Sequence, residues 1–258
     1  NLYSKSAQEE IQSEIVAPLK VKGLLAFRVP PSTALLIAPL ANFSHRQAYF
    51  VTFGVNLIVL ALLLAVYYKQ KIVEPKLFRY LLIAVPLFSP IYDNLIHGQI
   101  SLLVLLLVSL AYFSLNKKRL FLAGILIGLT FIKPQYLSII PLIIALYHKD
   151  KDLKKLLGGI GLSLTIQLAI STAIMGLSFL TFYPKYLIDS ESLGYGTNVL
   201  LNYNISSSLS LFIDNHNVVN LVNIALNGAF YAAVLVILLG GDEKYQINKK
   251  LAFASIAM

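Results

Sequence analysis

Gln47–Tyr68, reading QAYFVTFGVNLIVLALLLAVYY and followed at once by Lys69, decides the fold. It runs for 22 residues without a charge. As a helix that is about 33 Å, enough to cross the ~30 Å hydrocarbon layer of a bilayer. Tyr67, Tyr68 and Lys69 close it as aromatic and basic anchors close a membrane span at the water interface.

Four clusters of lysine and arginine lie outward from this span: Lys69–Arg79, Lys117–Arg119, Lys149–Lys155 and Lys244–Lys250. The stretches between them are too apolar for water. With the last loop counted from Gly240 to Lys250, the four loops hold 14 of the 21 lysines and arginines and 5 of the 12 acids, so they account for the whole formal charge of +9. Short basic loops resist translocation, so one alternation of spans puts all four on the cytoplasmic side. A nucleic-acid groove would not sort the excess charge this way, and nucleic acid is not expected as a partner.

Composition agrees with a membrane protein. The chain is 57% hydrophobic and 13% charged, with a mean hydropathy of +0.74; soluble domains are about 25% charged. With no cysteine, disulfides, iron–sulfur clusters and thiol catalysis are excluded. There is no HExxH, P-loop or Rossmann pattern. No carboxylate–histidine set has metal-ligand spacing, so neither a metal nor a cofactor is expected.

The expected organisation is an outer loop over residues 1–45 and a transmembrane domain over 46–258. Ser6-Ala7-Gln8-Glu9 has the spacing of a capping box opening an amphipathic surface helix, and Pro30-Pro31 opens a short apolar helix over Ser32–Leu40. Further spans are expected at Phe78–Ile96, with Pro86 and Pro90 as breaks, at Ile100–Leu115, at Leu156–Met175 and at Val218–Leu239. Leu120–Ile132 and Tyr136–Tyr147 form a pair of arms too short to cross alone, with Lys133-Pro134-Gln135 at the apex. Gly158, Gly159 and Gly161 offer a face for close helix contact. Gly176–Asn217 is expected as a long outer loop. Asn1 at the start and the short apolar run Leu251–Met258 lead to the expectation that the chain is a piece of a longer protein.

Two polar islands interrupt the apolar half and are the first candidates for chemistry. Asn94, His97 and Gln99 flank Gly98, which lets backbone turn or approach a ligand; the amides can bind sugar hydroxyls and the imidazole can bond a phosphate or move a proton. Lys133 inside an apolar hairpin costs ~2.5–3.5 kcal/mol at mid-bilayer unless it meets water or an anion. Gln135 lies beside it. The plainer alternatives are a wetted hairpin tip and a lysine snorkelling to headgroups. Tyr183-Pro184-Lys185-Tyr186 and Asn202–Ser206 mix rings, amides and hydroxyls as sugar sites do, though tyrosine belts line any membrane interface. Asn204-Ile205-Ser206 also fits the N-glycosylation pattern. Asp189, Glu191 and Asp214 are outer carboxylates, more simply read as solvated charges.

Taken in order, Leu2-Tyr3, Phe27-Arg28-Val29-Pro30-Pro31 with Leu35-Leu36 and Pro39-Leu40, His97-Gly98-Gln99, Gly124–Leu129 leading to Lys133-Pro134, and Asn204–Leu209 resemble glycosyltransferase family 87. The family tyrosine before the double proline is Val29 here. The resemblance implies an all-α integral membrane protein, a GT-C-like multi-span helical bundle whose first outer loop carries interfacial helices. It implies a mannosyltransferase-type enzyme that takes a hexose from a polyprenyl-phosphate donor. The sugar passes to a lipid or glycan acceptor hydroxyl on the extracytoplasmic side of the cell membrane, with inversion. The general base would be an aspartate lying before Asn1. His97, Gln99, Lys133, Gln135, Asn204 and Asn94 would contact substrate. The alternative class is a lipid-linked saccharide transporter or flippase, which also needs broken helices and a polar cavity.

Overall fold

The computed structural model describes residues 3–18, 26–71, 74–148, 151–192 and 205–240. In chain order its helices are α1 (Lys5–Val16), α2 (Pro31–Ile37), α3 (His45–Lys69), α4 (Pro75–Leu87), α5 (Ser89–Ile96) and α6 (Ser101–Asn116), then α7 (Leu120–Leu129), α8 (Ile139–Tyr147), α9 (Leu153–Met175), α10 (Phe179–Ser192), α11 (Ile205–Ser210) and α12 (His216–Gly240). No strand occurs among the described residues. Among the described residues three helices are long and apolar enough to cross a membrane: α3, α9 and, over Asn217–Val236, α12. The protein is an all-α membrane protein.

The chain divides into two compact units. One comprises Val29–Leu137 and Lys151–Met175. Its centre is the pairing of α7 with α9, which glycine makes possible. A Cβ on Gly124 would lie 2.1 Å from the Leu156 carbonyl, and one on Gly159 would lie 2.2 Å from the Phe121 carbonyl. Both are backbone atoms that cannot step aside, so the helices touch main chain to main chain. Gly161, expected on the same face, has nothing within 4 Å of its would-be Cβ and lies outside the seam. Beside this pair, Val59 and Leu63 of α3 pack on Leu102 and Leu106 of α6, with Ile91 and Leu95 of α5 against them.

Local chemistry explains the element ends. Ser44 caps α3 in a reciprocal capping box with Gln47, the Ser-x-x-Gln spacing of that motif. α1 is capped by Ser4, whose hydroxyl accepts from the Ala7 amide, so the box expected at Ser6 starts two residues too late. The break between α4 and α5 falls at Phe88, which is extended at φ −80, ψ 107. Pro90 enforces it, because in a continuous helix it would have no amide to donate to the carbonyl four residues earlier and its ring would clash with that carbonyl, whereas at the first turn of α5 it is tolerated.

The other unit comprises residues 1–28, 138–150 and 176–258. Here α8 packs on α12 through Leu142, Ala145 and Val234, and the Tyr231 hydroxyl donates to the Ser138 carbonyl at 2.5 Å. The stretch expected as a plain outer loop contains α10, a helix of 14 residues with Pro184 inside it. It forms because the rings of Phe182, Tyr183 and Tyr186 gather around Tyr3 together with Phe27, at centroid distances of 4.9 to 6.1 Å. Gln8 ties α1 into the same cluster, donating to the Tyr186 hydroxyl and accepting from the Phe27 amide. Arg28 donates to the Ser190 carbonyl at 2.8 Å, and the Tyr183 hydroxyl donates to the Arg28 carbonyl at 2.8 Å.

Candidate functional site

The site starts from the turn after α5. His97 ends that helix, Gly98 takes the left-handed conformation at φ +59, and the Gln99 amide returns to the Asn94 carbonyl at 3.0 Å. This six-residue closure with glycine at its corner is a Schellman motif. The space itself would admit a Cβ, which would meet the Thr52 methyl of α3 at an ordinary 3.5 Å, so the positive φ is what calls for glycine. The turn delivers Gln99 and then Ser101, the first residue of α6.

Across from it, α7 does not run on into α8. Thr130–Ile132 tighten into a 3-10 turn, Lys133 is extended at φ −127, ψ 96, and Pro134–Ser138 form a second 3-10 turn. Pro134 supplies no amide to continue the ladder, which is why the backbone unwinds here. Unwound backbone in a membrane protein is tolerated where it lines a cavity or is buried in protein.

The unwound apex carries Lys133 to the α5–α6 turn. Its Nζ donates to Ser101 Oγ at 2.6 Å and reaches Gln99 Oε1 at 3.5 Å, while Ser101 Oγ donates to the same Gln99 oxygen at 3.2 Å. The two polar islands of the sequence therefore meet through Gln99 and Lys133, with Ser101 closing the triangle. All three contacts join a cation to neutral oxygens or neutral groups to each other. Among the described residues no carboxylate pairs with Lys133, so the cradle orients the ammonium without cancelling its charge.

His97 sits on the rim of the same turn. Its Nδ1 lies 2.8 Å from the Asp93 carbonyl, which can only accept, so that nitrogen carries the proton and a neutral ring keeps its lone pair on Nε2. The ring is exposed and makes no hydrogen bond with Lys133. Asn94 is 5% exposed, and its Oδ1 finds no partner among the described residues; neither does Nδ2 of the equally buried Asn56 on α3. Gln135 is exposed on the second 3-10 turn. Asn204 lies outside the described residues. Asp189 and Asp214 are exposed.

Sequence reasoning missed Ser101, Asn56 and Gln167. A serine two residues past a polar island carries no signal of its own. Gln167 did carry one, because Ser163, Gln167 and Ser171 recur every four residues along an apolar span and so share one helix face.

The model of glycosyltransferase family 87 matches residues 27–258. No curated protein and no solved structure matches the chain.

Proposed function

We infer the reaction from membership: the chain belongs to glycosyltransferase family 87 and is a membrane glycosyltransferase. The donor in this reading is a hexose, such as mannose, carried on a polyprenyl phosphate, and the acceptor is a hydroxyl of a lipid or glycan. The acceptor oxygen attacks the anomeric carbon from the face opposite the phosphate. A new C–O bond forms, the C1–O bond to phosphate breaks, and the configuration inverts. The acceptor proton goes to a carboxylate base, which the family resemblance assigns to an aspartate ahead of Leu2. The phosphate leaves with the bonding electrons and gains charge as it does.

One observation supports this choice of donor above the others. Lys133 is held by Ser101 and Gln99 with its charge unspent, at the broken tip of an apolar hairpin. A fixed cation in such surroundings is suited to a phosphate that develops charge in the transition state. Gln99, Gln135 and Asn94 supply hydroxyl-binding amides nearby in the chain, His97 supplies a ring nitrogen with a free lone pair, and Asn204 is assigned to the same substrate. The basic loops face the cytoplasm in this reading, and the site opens on the other side.

The test is transfer by the full-length enzyme in proteoliposomes, with a radiolabelled polyprenyl-phosphate hexose, and the product configuration read by NMR. Wild-type enzyme should transfer with inversion, Lys133→Arg should keep partial activity, and Lys133→Met should fall to background while staying folded. Equal transfer from a nucleotide sugar without the lipid donor, or wild-type activity in Lys133→Met, rejects the assignment.

A further inference from the structure

We propose that Gln167 of α9 is a positioning residue for Lys133, acting through the backbone of the hairpin that carries it. The inference rests on Lys133 as the ligand of the donor phosphate. Where an α-helix tightens into a 3-10 turn, carbonyls leave the regular ladder and need donors from elsewhere. On the descent to Lys133 the Gly128 and Ile127 carbonyls share the single Thr130 amide, and side chains add the further donors. Gln167 Nε2 donates to the Gly128 carbonyl at 2.9 Å, Thr130 Oγ1 to the Ile127 carbonyl at 2.6 Å, and Thr33 Oγ1 of α2 to the Ile132 carbonyl at 3.4 Å. The Lys133 amide then takes the Thr130 carbonyl at 2.9 Å.

Gln167 can reach that carbonyl because the seam is narrow at its level. A Cβ on Gly128 would lie 2.6 Å from Ser163 Cβ, so α9 runs against the main chain of α7 there. The orientation of the amide is fixed by its surroundings. Nε2 faces the Gly128 carbonyl, the Ser163 carbonyl at 3.2 Å and Ser163 Oγ at 3.4 Å, and a flipped amide would set oxygen against two carbonyls. The Oε1 end is buried with no partner among the described residues. The donor end is thus what holds the side chain in place. A residue 6% exposed in an apolar span would fill space better as leucine, since a buried amide is costly unless its bonds are used.

The experiment uses the full-length enzyme in nanodiscs and two readings: the rate of reductive methylation of Lys133 by mass spectrometry, and donor KM against kcat. In Gln167→Leu the hairpin tip should loosen, Lys133 should methylate roughly tenfold faster, the scale of one lost buried hydrogen bond, and donor KM should rise more than kcat falls. A folded Gln167→Leu enzyme with unchanged methylation and unchanged donor KM overturns the proposal. If that variant does not fold, Gln167→Met, which keeps the length of the side chain and removes the donor, decides. Faster methylation in the methionine variant supports the proposal, and a wild-type rate rejects it. Lys133→Met separates the two ideas, because wild-type transfer in that variant removes the phosphate role while the methylation comparison still judges the positioning.

Discussion

Lys133 Nζ and Ser101 Oγ are 2.6 Å apart although the residues lie on different helical hairpins. The serine is half of what turns an isolated charge into an aimed one. Ser101→Ala should therefore leave the fold intact and raise the donor KM by roughly ten- to a hundredfold, the ~1.5–3 kcal/mol expected of one hydrogen bond to a charged group. Ser101→Thr, which keeps the hydroxyl, should stay close to wild type. Steady-state kinetics with varied donor checks both, and an unchanged KM in the alanine variant would detach Ser101 from the site.

The glycine seam makes a stability prediction with an internal control. Gly159→Ala puts a methyl into the Phe121 carbonyl and should destabilise the protein by roughly 1–3 kcal/mol through overpacking. Gly161→Ala meets nothing and should be neutral or stabilise by up to about 1 kcal/mol from helix propensity. Thermal unfolding in detergent compares the two, and equal shifts would contradict the seam.

Alkaline pH should loosen the docking of α1 on α10. Burial pushes the phenols of Tyr3 and Tyr183 above the ordinary tyrosine value, with Tyr186 adding to both and Tyr3 adding to Tyr183. A phenol raised in the folded state favours the neutral form, so its contribution is complete below pH ~10 and is lost as pH climbs past that point. Hydrogen exchange of α1 should be slow at pH 8 and accelerate beyond simple base catalysis above pH 10. Tyr183→Phe gives up its bond to the Arg28 carbonyl, at a cost of about 1 kcal/mol near neutrality, and should show a smaller alkaline change. Identical alkaline profiles for the two proteins would remove Tyr183 as the cause.

Sidedness is open to direct labelling because the chain has no cysteine of its own. Single cysteines at Lys117 and Lys151 should react with an impermeant maleimide only in inside-out vesicles. Labelling of either from the outside of intact cells would reverse the topology.

The sequence made the spans and the costly residues legible because both are written in composition. Gln47–Tyr68 sits within α3, and Pro86 and Pro90 foretold a broken helix that the structure resolves at Phe88. Lys133 stood out because a charge in an apolar hairpin demands an explanation. The helix α10 was hidden because its cause is tertiary: Tyr3 and Phe27 come from far earlier in the chain, and no local pattern announces their packing on Tyr183 and Tyr186. The same holds for Ser101, whose partner is 32 positions away. Gln167 was hidden differently, since its period was visible but a neutral amide attracts less suspicion than a charge.

Gly159 lies eight residues before Gln167 on one face of α9, about 12 Å along its axis. The missing methyl at the lower position sets the spacing that the amide must bridge higher up. Widening the gap at Gly159 would therefore lift Gln167 away from Gly128, so a substitution two turns along α9 from that amide can still loosen the hairpin tip at Lys133.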